Sequence, residues 1–115
     1  MSQIVVSTTP VIPGYRVVRV LGIVSGMTAR TRGIGGKLVA GIQSMVGGEV
    51  SAFTEEIVKA RDEALRRAMD HARSLGANAI IGLDFETSEV FETVVLISTT
   101  GTAVVIEPEE NPPPP

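Results

Sequence analysis

An α+β domain, a small antiparallel sheet with one long helix packed on it, is what this sequence predicts, and three observations predict it. Runs rich in Val and Ile stand at residues 15–25, 79–86 and 90–108. One long stretch, residues 53–76, repeats its apolar positions in three- and four-residue steps. Clusters of glycine and proline separate these segments, and each pattern has a distinct physical period or break.

A chain of 115 residues with 43% hydrophobic content suits one domain with one modest core. We place that domain at residues 1–107 and a proline-rich tail without packing capacity at 108–115. The mean hydropathy of +0.28 is high for so small a chain, so subunit contacts are the first expectation.

Element by element, Ile4–Ser7 is a short β-prone run closed by "TTPVIPG", where Pro10 and Pro13 disfavour helix and remove ladder donors. The strand "YRVVRVLGIVS", residues 15–25, carries apolar residues on both faces, so a neighbouring subunit is the expected cover for one of them. Residues 26–48 are glycine-rich, and Leu38, Ile42 and Met45 within them stand at helical spacing, which predicts a short, glycine-weakened helix stopped by Gly47 and Gly48. The long helix follows, with Ser51 or Thr54 to cap it and Gly76 to stop it. Ile57, Ala60, Ala64, Ala68, Ala72 and Leu75 form its core face, and small alanines permit a close approach to the sheet. Glu55 with Lys59, Asp62 with Arg66 and Glu63 with Arg67 are i,i+4 pairs on the solvated side, each worth about 0.2–0.5 kcal/mol.

In "ANAIIGLDFETSE", alternation sends Ala79, Ile81, Leu83 and Phe85 to one face and Ile80, Asp84 and Glu86 to the other. The segment "VFETVVLISTTGTAVVIEP" reads as two strands joined by a turn at Thr99–Gly101. The exposed edges of such a sheet need covering, and pairing with another subunit is one solution.

Several function classes are excluded or weakened. No cysteine is present, which removes disulfides, thiolate metal sites and Cys nucleophiles. A net charge of −3 argues against broad nucleic-acid binding, which draws on Lys and Arg. The start "MSQIVVSTTP" lacks the pattern of a signal peptide and no apolar run reaches membrane-spanning length, so the expectation is a cytoplasmic protein with no membrane partner.

The stretch "TRGIGGKLVAG", residues 31–41, has the look of a phosphate loop. A Walker A motif needs glycine where this chain has Thr31 and a hydroxyl where it has Leu38; the dinucleotide fingerprint needs glycine at Leu38 as well. What survives is a weaker anion-binding loop helped by Arg30, Arg32 and Lys37, and these three with Glu49 are the ligand-binding candidates. The alternative is structural: glycines let backbone pass close to a neighbour. His71, the single histidine, reads as a helix-surface or interface residue. The acidic series Asp84, Glu86, Glu89 and Glu92 supplies oxygen ligands that suit a hard divalent cation, with Asp84, Glu86 and Glu92 as the metal candidates, and the first two share a strand face about 6–7 Å apart.

The landmarks "STTP" at 7–10, "GIVSG" at 22–26, "VGGEVSAFTEEIVKARDEALRRAM" at 46–69, "ARSLGANAIIGLDFE" at 72–86 and "GTAV" at 101–104 occur in one order. Together they resemble the YbjQ-like family over roughly residues 4–106. The resemblance implies dodecin-like α+β subunits that assemble as rings, commonly pentamers, and a family label of heavy-metal binding. Two positions depart from the family pattern: Glu49 stands where a basic residue is usual, and Phe53 where the aromatic is often tyrosine. Without cysteine and with one histidine, the chain is a poor fit to a soft metal. The reading is a non-enzymatic ring-forming homo-oligomer with a structural or small-ligand role. The alternatives are a divalent-metal binder, or an enzyme that holds a small anion at a subunit boundary with the 30–37 loop and uses Glu49, Asp84 or Glu86 as acid or base.

Overall fold

In a computed structural model, which describes residues 3–31, 51–91 and 94–109, the chain is α+β. Its elements are β1 (Val5–Val6), β2 (Tyr15–Thr31), α1 (Ser51–Ser74), β3 (Ala79–Phe91) and β4 (Val94–Pro108). The sheet order is β1-β3-β4-β2. The long pairings, β2 with β4 and β3 with β4, are antiparallel, and β1 adds in parallel to β3 at Ala79 and Ile80, so the sheet is mixed.

The helix forms where the alanine period lies. Ala60, Ala64, Ala68 and Ala72 are completely buried, Ile57 is half-buried, and Leu65 and Met69 flank the contact. Leu75 departs from the expected face: it is exposed, because the helix ends at Ser74 and the chain turns away. Gly76 N–H donates to the Arg73 carbonyl and Ala77 N–H to the Ala72 carbonyl, which closes the helix in a Schellman arrangement.

The alanine stripe lets α1 press onto β2. At Gly26 a Cβ would lie 1.9 Å from the Ala64 carbonyl oxygen and 2.6 Å from the Ala68 nitrogen. Glycine is therefore demanded here by the neighbouring helix backbone, and β2 runs straight through Gly26 to Thr31, beyond the expected end at Ser25.

Two further expectations are corrected. Thr99–Gly101 is no turn: β4 is continuous from Val94 to Pro108, and the change of direction falls between Phe91 and Val94. Gly101 instead gives room to Ile80, whose Cγ2 would stand 2.6 Å from an added Cβ. The alternation of β3 is also broken, and its ladder with β4 shifts register twice, between Ile81 and Asp84 and between Glu89 and Phe91. The first of these shifts, with Gly82 at φ 62°, marks a bulge. Ile80, Leu83 and Phe85 consequently pack with the helix, whereas Ala79 and Ile81 join Val104, Ile106 and Ile12 on the opposite face.

That opposite face is covered at one end by the segment leading into β2, through Ile12. Along β2 it is bare. Val17, Val20, Ile23 and Met27 are 42%, 67%, 74% and 50% exposed. The expected short helix in 37–48 lies outside the described residues. Among the described residues, no helix is long and apolar enough to cross a membrane.

Candidate functional site

Two polar groupings emerge, one on each face of the sheet. On the helix side, Arg30 near the end of β2 is half-buried between sheet and helix. Its Nη2 donates to Glu63 Oε2 at 3.1 Å, and its Nε lies 3.6 Å from Glu56 Oε2, too far for a hydrogen bond, so that buried N–H is left without one. Glu63 also accepts from Arg67 at 2.8 Å and from Arg66 at 3.3 Å. The hydrogen bond from Arg30 first, and then the charge of Arg67, hold the Glu63 carboxyl below the usual carboxylate range, against an opposing effect of burial. The Arg67 guanidinium reaches further, donating to the Met27 carbonyl of β2 at 2.6 Å. Arg30 is therefore an engaged residue that ties the strand to the helix.

On the open face the β-ladder sets the order of side chains. Ser25, Thr100 and Asp84 stand in one cross-strand row, and Met27, Ser98 and Glu86 in the next. Thr99, buried beneath the helix, donates its hydroxyl to the Asp84 carbonyl at 2.8 Å and fixes the strand just past the bulge. Asp84 and Glu86 do share a face, as alternation requires, and both are exposed. The face is the one opposite to Ile80, because of the bulge.

The remaining candidates, Arg32, Lys37, Glu49 and Glu92, lie outside the described residues. His71 is exposed in the last turn of α1. Among the described residues, no group of three or more His, Cys, Asp or Glu side chains converges as metal ligands do. Asp84 and Glu86 are two oxygen donors on an open surface, and a soft heavy metal needs thiolate or imidazole that this chain barely has. The residues present do not fit such a metal.

Sequence reasoning missed the Glu63 hub, although Glu63–Arg67 was legible as an i,i+4 pair. The partner from β2, Arg30, is 33 residues away and has no local signal. It also missed Arg61, whose guanidinium sits 4.6 Å above the Phe85 ring, and Asn78, whose side-chain amide both donates to and accepts from the Ile106 backbone, at 2.9 and 2.7 Å.

Comparison with known proteins now bears on this arrangement. The family profile YbjQ_1, described as "Putative heavy-metal-binding", matches residues 4–107. A UPF0145 protein of Picrophilus torridus is 41% identical over 111 residues, 96% of this chain and 94% of that protein. UPF0145 proteins of Saccharolobus islandicus and Thermus thermophilus are 45% and 43% identical, over 91% and 92% of this chain and 92% and 93% of theirs. A crystal structure of a protein of unknown function from Pediococcus pentosaceus, placed in the DUF74 family, shares the fold with a TM-score of 0.61 at 18% identity, covering 90% of this chain and 98% of that one. With a match across nearly all of its strands and its helix, the chain belongs to the YbjQ_1 family of UPF0145 proteins.

Proposed function

We propose that this protein works as a homo-oligomer, a ring of five copies, with a structural or small-ligand-binding role and without catalysis. The observation that carries the reading is the bare sheet face along β2. Val17, Val20, Ile23 and Met27 line one exposed face of β2, interrupted by Ser25 between the last two, and among the described residues β2 is an edge strand. A face of this kind on a stable soluble chain is a contact surface waiting for a partner. The two-sided apolar character of the β2 sequence fits the same end, since a strand facing water on one side alternates apolar with polar residues.

A ring also gives the polar rows a use. Ser25, Ser98 and Thr100 beside Asp84 and Glu86 offer hydroxyls and carboxylates on the same open face. Repeated by symmetry, they suit a small molecule rich in hydrogen-bond donors.

The test is sedimentation velocity of the wild-type chain and of Ile23→Lys over a micromolar concentration series. The reading expects a wild-type oligomer and a shift of Ile23→Lys towards single chains, with its helical circular dichroism retained. An Ile23→Lys variant that sediments as the wild type does would remove this face from the assembly.

A further inference from the structure

We propose that Arg67 guards the open edge of β2: by occupying the Met27 carbonyl, it closes the middle of that strand to indiscriminate strand addition while the chain is on its own. The contact belongs to the single chain, so the guard acts whatever surfaces the assembly uses.

The need for a guard lies in the sequence. Among the described residues, β2 has a neighbouring strand on one side only, β4. From Val20 to Ala29 it reads "VLGIVSGMTA", without charge or proline, and uncharged β-prone segments of this kind template aggregation when their edge is open. Edges are ordinarily blunted by bulges, prolines or charged side chains. The first part of β2 has such devices. Its ladder with β4 shifts register between Val17 and Arg19 and again between Val20 and Gly22, and Arg16 and Arg19 stand in the same part. From Ile23 to Thr31 the ladder is unbroken. That regular stretch is the template, and Met27 is its central residue.

An edge strand sends the N–H and C=O of every second residue away from its one neighbour. The Met27 carbonyl is engaged from the helix, by Arg67 Nη1 at 2.6 Å. The same guanidinium donates through Nη2 to Glu63 Oε1 at 2.8 Å, and Glu63 is itself held to β2 by Arg30 at 3.1 Å. Two nitrogens of one rigid fork thus bridge a carboxylate and a strand carbonyl, which the single ammonium of a lysine does less well. An incoming strand meets a charged group on the central acceptor and has to break that bond before it can pair along the row. Arg66, the neighbour in sequence, bonds to Glu63 at 3.3 Å and pairs with Asp70 at 3.8 Å. Both of those partners lie on the helix itself, which makes Arg66 the control.

Refolding by dilution from urea takes every chain through the unassembled state, so it tests the guard even when the native protein is an oligomer. Wild type, Arg66→Ala, Arg67→Ala, Arg67→Lys and Asn78→Ala are refolded at one concentration, with thioflavin T fluorescence and pelletable protein as readouts and urea unfolding of the soluble fraction to give each stability. Arg67→Ala should yield severalfold more thioflavin-positive pellet than wild type. It should also exceed Asn78→Ala, which loses its bonds to Ile106 at the other end of the sheet. Arg67→Lys, which keeps the charge, should fall between, and Arg66→Ala should match wild type. Adding Ala29→Lys to Arg67→Ala places a charge on an exposed position of the same edge and should return the pellet to the wild-type level. Hydrogen exchange of the pellet should find residues 20–29 protected. If Arg67→Ala does not fold, Arg67→Lys against Arg66→Lys decides in the same way. A pellet from the Arg67 variant no larger than from wild type, or than from an equally destabilised Asn78→Ala, overturns the guard, and so does a protected core outside β2.

Discussion

Gly26→Ala is the substitution through which the fold can be tested most sharply. Its added Cβ would meet the Ala64 carbonyl oxygen at 1.9 Å, the Ala68 nitrogen at 2.6 Å and the Ala64 carbonyl carbon at 3.0 Å. All three atoms are helix backbone, so no rotamer change can relieve the clash. An ordinary carbon-to-oxygen contact is about 3.3 Å, which means α1 must rise by more than 1 Å or β2 must bend away. A radial gap of ~0.5–1 Å already forfeits a quarter to a half of a packing contact, and the contacts at stake are those of the fully buried Ala60, Ala64, Ala68 and Ala72. We expect a loss near the top of the overpacking range, about 3 kcal/mol, and a fall in melting temperature of roughly 10 °C or more. The assay is thermal and urea unfolding followed at 222 nm, at fixed protein concentration because association raises apparent stability. Gly101→Ala is the internal comparison. Its Cβ would meet the Ile80 Cγ2 at 2.6 Å and the Ile81 carbonyl oxygen at 3.2 Å; the closest atom belongs to a side chain that must shift on a stiff χ1 rather than to a helix backbone, so a smaller loss of about 1–2 kcal/mol is expected. A Gly26→Ala protein that melts within 2 °C of wild type, or is less affected than Gly101→Ala, would refute the helix–sheet contact described above.

Three further outcomes follow from the same contacts. Asn78→Ala should cost about 1–3 kcal/mol, measured by urea unfolding, because the Ile106 amide and carbonyl lose their side-chain partners; a neutral result would show that water replaces them. Glu63 has its proton affinity lowered on folding, chiefly by Arg30, so its contribution is present above the unfolded carboxylate value, near 4.5, and is lost as the pH falls through the lower folded value. The stability gap between wild type and Glu63→Gln should therefore narrow below about pH 4.5 in urea titrations, and a gap constant from pH 7 to pH 3 would contradict the Arg30–Glu63 contact. Elemental analysis after dialysis against zinc or copper should find no stoichiometric retention, since one exposed histidine and no cysteine supply no soft-metal ligand set; a full equivalent per chain would prove otherwise.

The legible parts of this molecule are those governed by local period. Ala60, Ala64, Ala68 and Ala72 announce a helix face, and the strand runs at Tyr15 and Ala79 begin where Val and Ile accumulate. Glycine was the source of the differences, because its local meaning and its tertiary meaning conflict. Gly26 and Gly101 read as interruptions, yet both sit inside unbroken strands and serve close approaches to Ala64 and Ile80. Gly82 has the opposite effect, hosting a bulge that alternation alone cannot foresee and that moves Leu83 and Phe85 to the helix side. The candidate site divides along the same line. That Asp84 and Glu86 share a face follows from the two-residue period of a strand. That Arg30 is held by Glu56 and Glu63 depends on the docking of α1 over β2, which no spacing in the sequence encodes.

Self-association through the bare β2 face is the central claim, and native mass spectrometry of the unmodified chain at micromolar concentration tests it most directly. For a chain of 12.1 kDa, the account predicts one dominant assembly at an integer multiple, about 60 kDa for five copies. A sole species at 12.1 kDa, stable across that concentration range, would contradict it.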